Sequence, residues 1–160
     1  MSEMKQYIVV NVKSEEYAIA ISDVQSIEKV PTTTHIPQLP SYMVGICTIR
    51  EDIIPVLDLR NLLYGEIVAS TTESQLILVS HPAMTIGLLA DSAKEILSIQ
   101  EDQINQVGLT GYHQTSYMKG VIRLDQRLVT ILDTSSWFAN LNGMKEIIHY
   151  MEDYTQEQVK

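Results

Sequence analysis

The chain has 160 residues, 45% of them apolar, which is enough for one domain with a substantial core. Twenty acidic residues against 11 Lys and Arg give a formal charge of −9, so nonspecific binding to nucleic-acid phosphates or anionic lipid is opposed by long-range repulsion. No positively charged start leads into an apolar signal region and no apolar run approaches bilayer-spanning length, so a soluble intracellular protein without membrane insertion is expected.

Tyr7–Val12 is a β-branched run, and after Ser14–Glu16 the alternating Tyr17–Ile21 predicts a second strand and hence a hairpin. Ser22 stands three residues before Gln25, a capping-box spacing that opens a helical turn, and Ile27–Val30 then predicts a return to extended chain. Three prolines within 31–42 remove backbone donors and predict an ordered, extended surface loop. It leads into Gly45–Asp58, where the polar triplet Arg50-Glu51-Asp52 divides two apolar runs into a second hairpin. Asp58 is placed to cap a short helix, Leu59–Tyr64, and Gly65 to end it.

Beyond the polar Ser70–Ser74 the same grammar returns. Gln75–Val79 and Thr85–Leu89 repeat the first hairpin, Asp91 takes the place of Asp23, and Ser92 with Glu95 repeats the capping-box spacing before Ile96–Ile99. Residues 100–117 form a polar second connection. Gly120–Asp133 then matches Gly45–Asp58 without a gap, with Asp125-Gln126-Arg127 in place of the first triplet, and Asp133 resembles a cap before Thr134–Phe138. The duplication predicts two related β lobes, approximately 5–70 and 71–143, and leaves open whether strands are exchanged between them. After Gly143, the residues Met144, Ile147, Ile148 and Met151 follow helical spacing. They make 144–160 an amphipathic helix and tail, expected to pack on its own lobe rather than on a partner, with Gln156–Lys160 fraying.

Residues that carry chemistry are sparse. No Gly-rich phosphate loop occurs, and His35, His81, His113 and His149 are scattered, none at metal-ligand spacing from Cys47 or a carboxylate. Cys47 lies in an apolar strand-like run and reads as a small buried side chain. The carboxylate pairs Glu15-Glu16, Glu51-Asp52 and Glu101-Asp102 fall where surface turns are expected, which favours solvation over acid-base work. No enzyme activity, metal or cofactor is expected. Gly45 and Gly120 each begin a hairpin strand, where a close backbone approach or a bulge accounts for glycine. Arg50, at a hairpin tip, can brace a local carboxylate or reach a partner protein.

The stretch Gly45-Ile-Cys-Thr-Ile-Arg50-Glu-Asp-Ile-Ile-Pro55-Val-Leu-Asp58-Leu-Arg60 holds a glycine, a hairpin with arginine and an intact Pro-x-x-Asp-Leu-Arg. With Glu16–Ile27, Gly87–Asp91, and Tyr117–Gly120 running into Ile131–Asp133, it resembles the CheW-like coupling proteins of bacterial chemotaxis. The resemblance implies a mainly β fold of two SH3-like β-barrel lobes packed together, with short helices and a C-terminal helix. It implies a non-catalytic adaptor that couples chemoreceptor cytoplasmic tips to the regulatory domain of a CheA-type histidine kinase. Such a protein is cytoplasmic and recruited to membrane-associated receptor arrays. Carried over position by position, Val24, Gln25, Ile27 and Gly45 match the kinase-facing surface, and Arg50, with Thr48 beside it, the receptor-facing side. One departure stands at the tip: Glu51 replaces a family glycine suited to positive φ, and Asp52 is the residue expected to take the left-handed position instead. A scaffold of the same fold in another kinase cascade, such as surface motility, and a small-molecule sensor using the cleft between the lobes are the alternatives.

Overall fold

The computed structural model describes residues 4–66, 73–105 and 118–159. Eleven strands among them form two sheets. The strands are β1 (Met4–Val12), β2 (Glu15–Ala20), β3 (Val24–Lys29), β4 (Met43–Ile49), β5 (Asp52–Asp58), β6 (Gln75–Val79), β7 (Ile86–Ala90), β8 (Ser92–Gln100), β9 (Ile104–Asn105), β10 (Met118–Leu124) and β11 (Arg127–Leu132). Helix α1 spans Leu59–Tyr64, α2 Thr134–Asn140 and α3 Met144–Val159.

One sheet runs β8-β1-β2-β11-β10-β9 and the other β3-β6-β7-β5-β4. The duplication is visible in these orders. In each sheet the leading hairpin of one copy, β1–β2 or β6–β7, lies between the third strand and the Gly-to-Asp hairpin of the other copy. The two parallel pairings are equivalent as well, β11 with β2 and β5 with β7. Strands are therefore exchanged between the copies, and the approximate lobes 5–70 and 71–143 do not coincide with the sheets. The proposed boundary itself falls within 67–72, outside the described residues. Along the chain, residues 24–90 supply the whole five-stranded sheet, and the backbone crosses between sheets at the 3-10 turn Ile21–Asp23 and at Asp91. These crossings hold the repeat-equivalent aspartates Asp23 and Asp91. Each is held by a backbone hydrogen bond: the Ser80 N–H donates to the Asp23 carbonyl at 2.8 Å and the Asp91 N–H to the Asn11 carbonyl at 3.0 Å.

The apolar runs of the central strands follow from burial on both faces. Tyr7, Val9 and Ala18 join Ile99, Ile122, Val129 and Ile131 in a core inside the six-stranded sheet. Leu76, Leu78, Cys47, Ile54 and Val56 fill the five-stranded one. The alternate residues, Ile8, Val10, Val12 and Ile19 from one sheet and Leu57, Ile77, Val79 and Leu88 from the other, meet in a third and largest cluster, with Trp137 and Phe138 of α2 and Met144, Ile147 and Met151 of α3. The C-terminal helix thus packs on its own body through the predicted stripe. It stays helical through Val159, past the Gln156 at which fraying is expected, and Lys160 lies outside the described residues.

Local signals were met unevenly. Asp58 caps α1 by accepting the Arg60 N–H at 3.0 Å, and Gly65 ends the helix at φ +72°. Asp133 makes no side-chain bond to the first N–H groups of α2. Ser22 lies inside the turn it was expected to cap, and Ala20 stands before that turn with no side-chain cap. Ser92 opens a strand rather than a helical turn, because Leu97 and Ile99 are drawn into the core beside β1. The helical turn of the second copy comes later, at Glu101–Gln103, where Gln100 and Gln103 form the capping box. The β1–β2 turn falls on Lys13 and Ser14, not on Ser14–Glu16, so Glu15 and Glu16 belong to a strand.

Candidate protein-interaction site

The β4–β5 hairpin carries three of the candidate residues, Gly45, Thr48 and Arg50. Its register pairs Ile49 with Asp52, which leaves Arg50 and Glu51 as a two-residue loop with φ of +48° and +76°. Positive φ at both loop residues suits the right-handed twist of a hairpin. Glu51 itself therefore takes the left-handed position, and Asp52 is the first residue of β5, contrary to the sequence expectation. Strand pairing decides this: moving the turn by one residue would reverse the faces of Ile53 and Ile54, of which Ile54 belongs inside the sheet.

Arg50 braces a carboxylate that is distant in sequence. Its Nη2 donates to Glu28 Oε2 at 2.9 Å, joining the tip of β4–β5 to β3, the strand at the opposite edge of the same sheet. The arginine side chain is 67% exposed and the glutamate 20%, so the pair contributes at most about 1 kcal/mol, and its consequence is positional. Glu28 sits directly after Ile27, which is 41% exposed. Gln25, also exposed, has its Oε1 held by the hydroxyls of Ser80 at 3.1 Å and Thr85 at 3.4 Å. Val24 lies apart from these residues. A bulge between Val24 and Ser26 lets it pack, half-buried, against the core between the sheets.

Gly45 is fixed by a neighbouring backbone. A Cβ there would lie 2.2 Å from the Thr34 carbonyl oxygen, because Thr34 and Ile46 exchange two backbone hydrogen bonds of 2.8 and 2.9 Å. The proline-containing loop is thus ordered against β4 as expected, and Gly45 combines a bulge with a close approach. Thr48, three residues further, is exposed. The structure therefore ties Arg50 to Glu28 of β3, whose neighbour Ile27 points to the opposite face of that strand, with Gly45 and Thr48 on the strand leading to the tip. Gln25 lies roughly 10 Å back along β3. Glu28 escaped sequence reasoning because its partner is 22 residues away.

The Pro-x-x-Asp-Leu-Arg stretch serves the architecture. Arg60 pairs with Asp91, whose carboxylate also accepts the Lys13 N–H at 2.9 Å, so the motif binds α1 to a crossing between the sheets. Burial pushes the Asp58 carboxyl above the usual aspartate range, offset in part by the N–H groups it caps. The second tip is built differently. Asp125 has φ +49°, and Arg127, already in β11, donates to both carboxylate oxygens of Glu16, at 3.1 and 2.7 Å, and to Glu95. Glu16 is thus an ion-pair partner in a strand rather than a solvated turn residue.

Cys47 is buried, which pushes its thiol up. His81 stacks on Phe138 with ring centroids 3.8 Å apart, His35 lies by the Val44 carbonyl, and His149 by Asp153; His113 is outside the described residues. Among the described residues no three potential metal ligands converge, and no helix is long and apolar enough to cross a membrane.

Comparison with known proteins agrees with this geometry. The CheW-like domain matches residues 6–142. Chemotaxis protein CheW of Bacillus subtilis (strain 168) is 27% identical over 133 residues, covering 82% of this chain and 85% of that one. Chemotaxis protein CheW of Helicobacter pylori is 28% identical over 130 residues, covering 81% and 79%. The crystal structure of the scaffolding protein TtCheW from Thermoanaerobacter tengcongensis superposes with a TM-score of 0.78 at 26% identity, covering 89% of this chain and 92% of that one. With more than half its length matched and the two-sheet architecture shared, the chain belongs to the CheW-like domain family.

Proposed function

We propose that the protein is a non-catalytic chemotaxis adaptor that joins a chemoreceptor signalling tip to the regulatory domain of a histidine kinase. Its relatives bear the names of chemotaxis and scaffolding proteins, which favours this role over another kinase cascade. Ile27 and Gln25, with Val24 supporting β3 from the core side and the buried Gly45 holding the proline-containing loop against β4, make the kinase-facing side, and Arg50 with Thr48 the receptor-facing one. The observation that carries this reading is the Arg50–Glu28 pair, which holds an exposed guanidinium at a fixed place at the tip of the β4–β5 hairpin. Arg50 keeps further donors for a partner's carboxylate, since a guanidinium has five N–H groups and Glu28 takes one of them.

Co-sedimentation with receptor signalling fragments and with a kinase regulatory domain tests the proposal. Arg50→Ala is expected to weaken receptor binding about tenfold, or about 1.4 kcal/mol, with the fold intact. Ile27→Asp is expected to weaken kinase binding. Failure of the unaltered protein to bind either cognate partner would exclude the coupling role.

A further inference from the structure

Residues 80–85 join β6 to β7 and fasten to two different parts of the molecule. On one side they hold β3. Besides the backbone bond from Ser80 to the Asp23 carbonyl, the Ser80 and Thr85 hydroxyls both donate to Gln25 Oε1, at 3.1 and 3.4 Å. On the other side they rest on α2. The His81 ring lies nearly parallel to that of Phe138, 11° apart with centroids 3.8 Å from each other, and Phe138 is buried in the core between the sheets. Between the two attachments the chain folds back on itself, because the Ala83 N–H donates to His81 Nδ1 at 3.0 Å across Pro82. The imidazole nitrogen takes the part that a side-chain oxygen of Asn or Asp takes in an Asx turn.

That bond exists in only one charge state of the ring. To accept, Nδ1 must keep its lone pair, so the ring is neutral with its proton on Nε2. Protonation gives Nδ1 a hydrogen of its own and sets two donors against each other at 3.0 Å. The stack on Phe138 does not oppose the change, since a cation over an aromatic face is attracted to it. The ring therefore stays on α2 and the Ala83 peptide moves away. Its movement passes to Met84, half-buried against the same core, and on to Thr85. Of the two hydroxyls on Gln25, that of Thr85 makes the longer bond, and Ser80 has its backbone bond to Asp23 as a second hold, so Thr85 is the one released. Apart from His81, the loop, β6, β7 and α2 contain no ionisable side chain. The charged groups at their margins are Asp23 before β3, Glu28 and Lys29 within it, Asp133 before α2, and the charged face of α3. Glu28 is paired with Arg50, Asp133 accepts the Ser135 hydroxyl at 3.1 Å, and among the described residues no carboxylate forms an ion pair with His81.

We propose that His81 is a pH-operated latch: the neutral ring holds the loop closed on Gln25, and the protonated ring opens the turn and frees the Gln25 side chain from Thr85. The exposed face of β3 thereby has two forms, set by proton concentration alone, and the device stands whether or not that face meets a kinase. Its reach is local, because Val79 and Ile86 stay paired at the base of the loop.

NMR of the full chain, titrated from about pH 8 to about pH 5, the interval in which histidine ordinarily changes charge, tests it. The Ala83 amide and the Gln25 side-chain amide are expected to shift with the midpoint of the His81 ring signals, while the Ile77 amide in the middle of β6 does not move. In His81→Asn, whose side-chain oxygen accepts the Ala83 N–H at every pH, both responses are expected to vanish with Gln25 at its high-pH position. In His81→Phe, which keeps the stack and lacks the acceptor, both are expected to vanish with Gln25 at its low-pH position. A Gln25 signal that does not follow the His81 ring overturns the proposal. So does a Gln25 response that persists in either variant, which would trace it to Asp23 or Glu28. Should one variant lose the fold, the other decides by the same criterion.

Discussion

Arg50 and Glu51 hold left-handed backbone positions that Asn-Gly would fill at least cost. A residue with a Cβ in that region costs roughly 1–2 kcal/mol, and glycine returns about 0.4–1 kcal/mol of that through its freer unfolded chain. Glu51→Gly is therefore expected to raise unfolding free energy by about 0.5–1 kcal/mol in urea titration; no gain would mean the turn is relaxed despite its φ. Gly45→Ala should act oppositely, losing about 2 kcal/mol as the Thr34–Ile46 contact is forced apart, with kinase binding falling alongside. Asp58 gives a pH signature. Its folded pKa lies above the unfolded value, so the native state holds more protons between the two, and its contribution to stability falls as pH rises through that window. Asn caps as well as Asp, so Asp58→Asn should keep α1 and flatten this part of the stability profile, as read by thermal unfolding at a series of pH values. The capping role of Asp58 was legible because cap and helix are adjacent in sequence. The left-handed position at Glu51 was misassigned to Asp52, since local preference favoured aspartate and register was invisible.

Among the elements, strands and hairpins were legible wherever apolar residues ran continuously or alternated, and α3 wherever they recurred at helical spacing. Ser92 and Glu95 show the limit of such signals, because a capping-box spacing yielded to pairing of β8 with β1, a partner more than 80 residues away. The apolar stripe of α3 carries a direct test. Ile147 is fully buried in the core between the sheets, and Ile147→Ala should cost about 3 kcal/mol of stability in denaturant unfolding. A loss near zero would mean that the helix is docked loosely.

At the scale of the molecule, the duplication was plain in the sequence and the exchange was not. Matching strings identify equivalent strands without saying which copy pairs with which. The exchange makes a prediction that two self-contained lobes would not. Fragments 1–70 and 71–160 each lack strands of both sheets, so each alone should show little ordered β structure by circular dichroism and NMR, and mixing them should restore the native spectrum. Ordered structure in either isolated fragment would contradict the pairing of β1–β2 with β11 and of β6–β7 with β5 and β3.

The two crossings at Ile21–Asp23 and Asp91 also bear on how a message can pass through the protein. Two tethers and a common core leave the sheets little freedom to hinge, so a tug on one is felt by the other as displacement of a single stiff body. In the proposed coupling role such an object would work as a spacer bar, relaying where its neighbours stand through docking angle and distance with no refolding of its own.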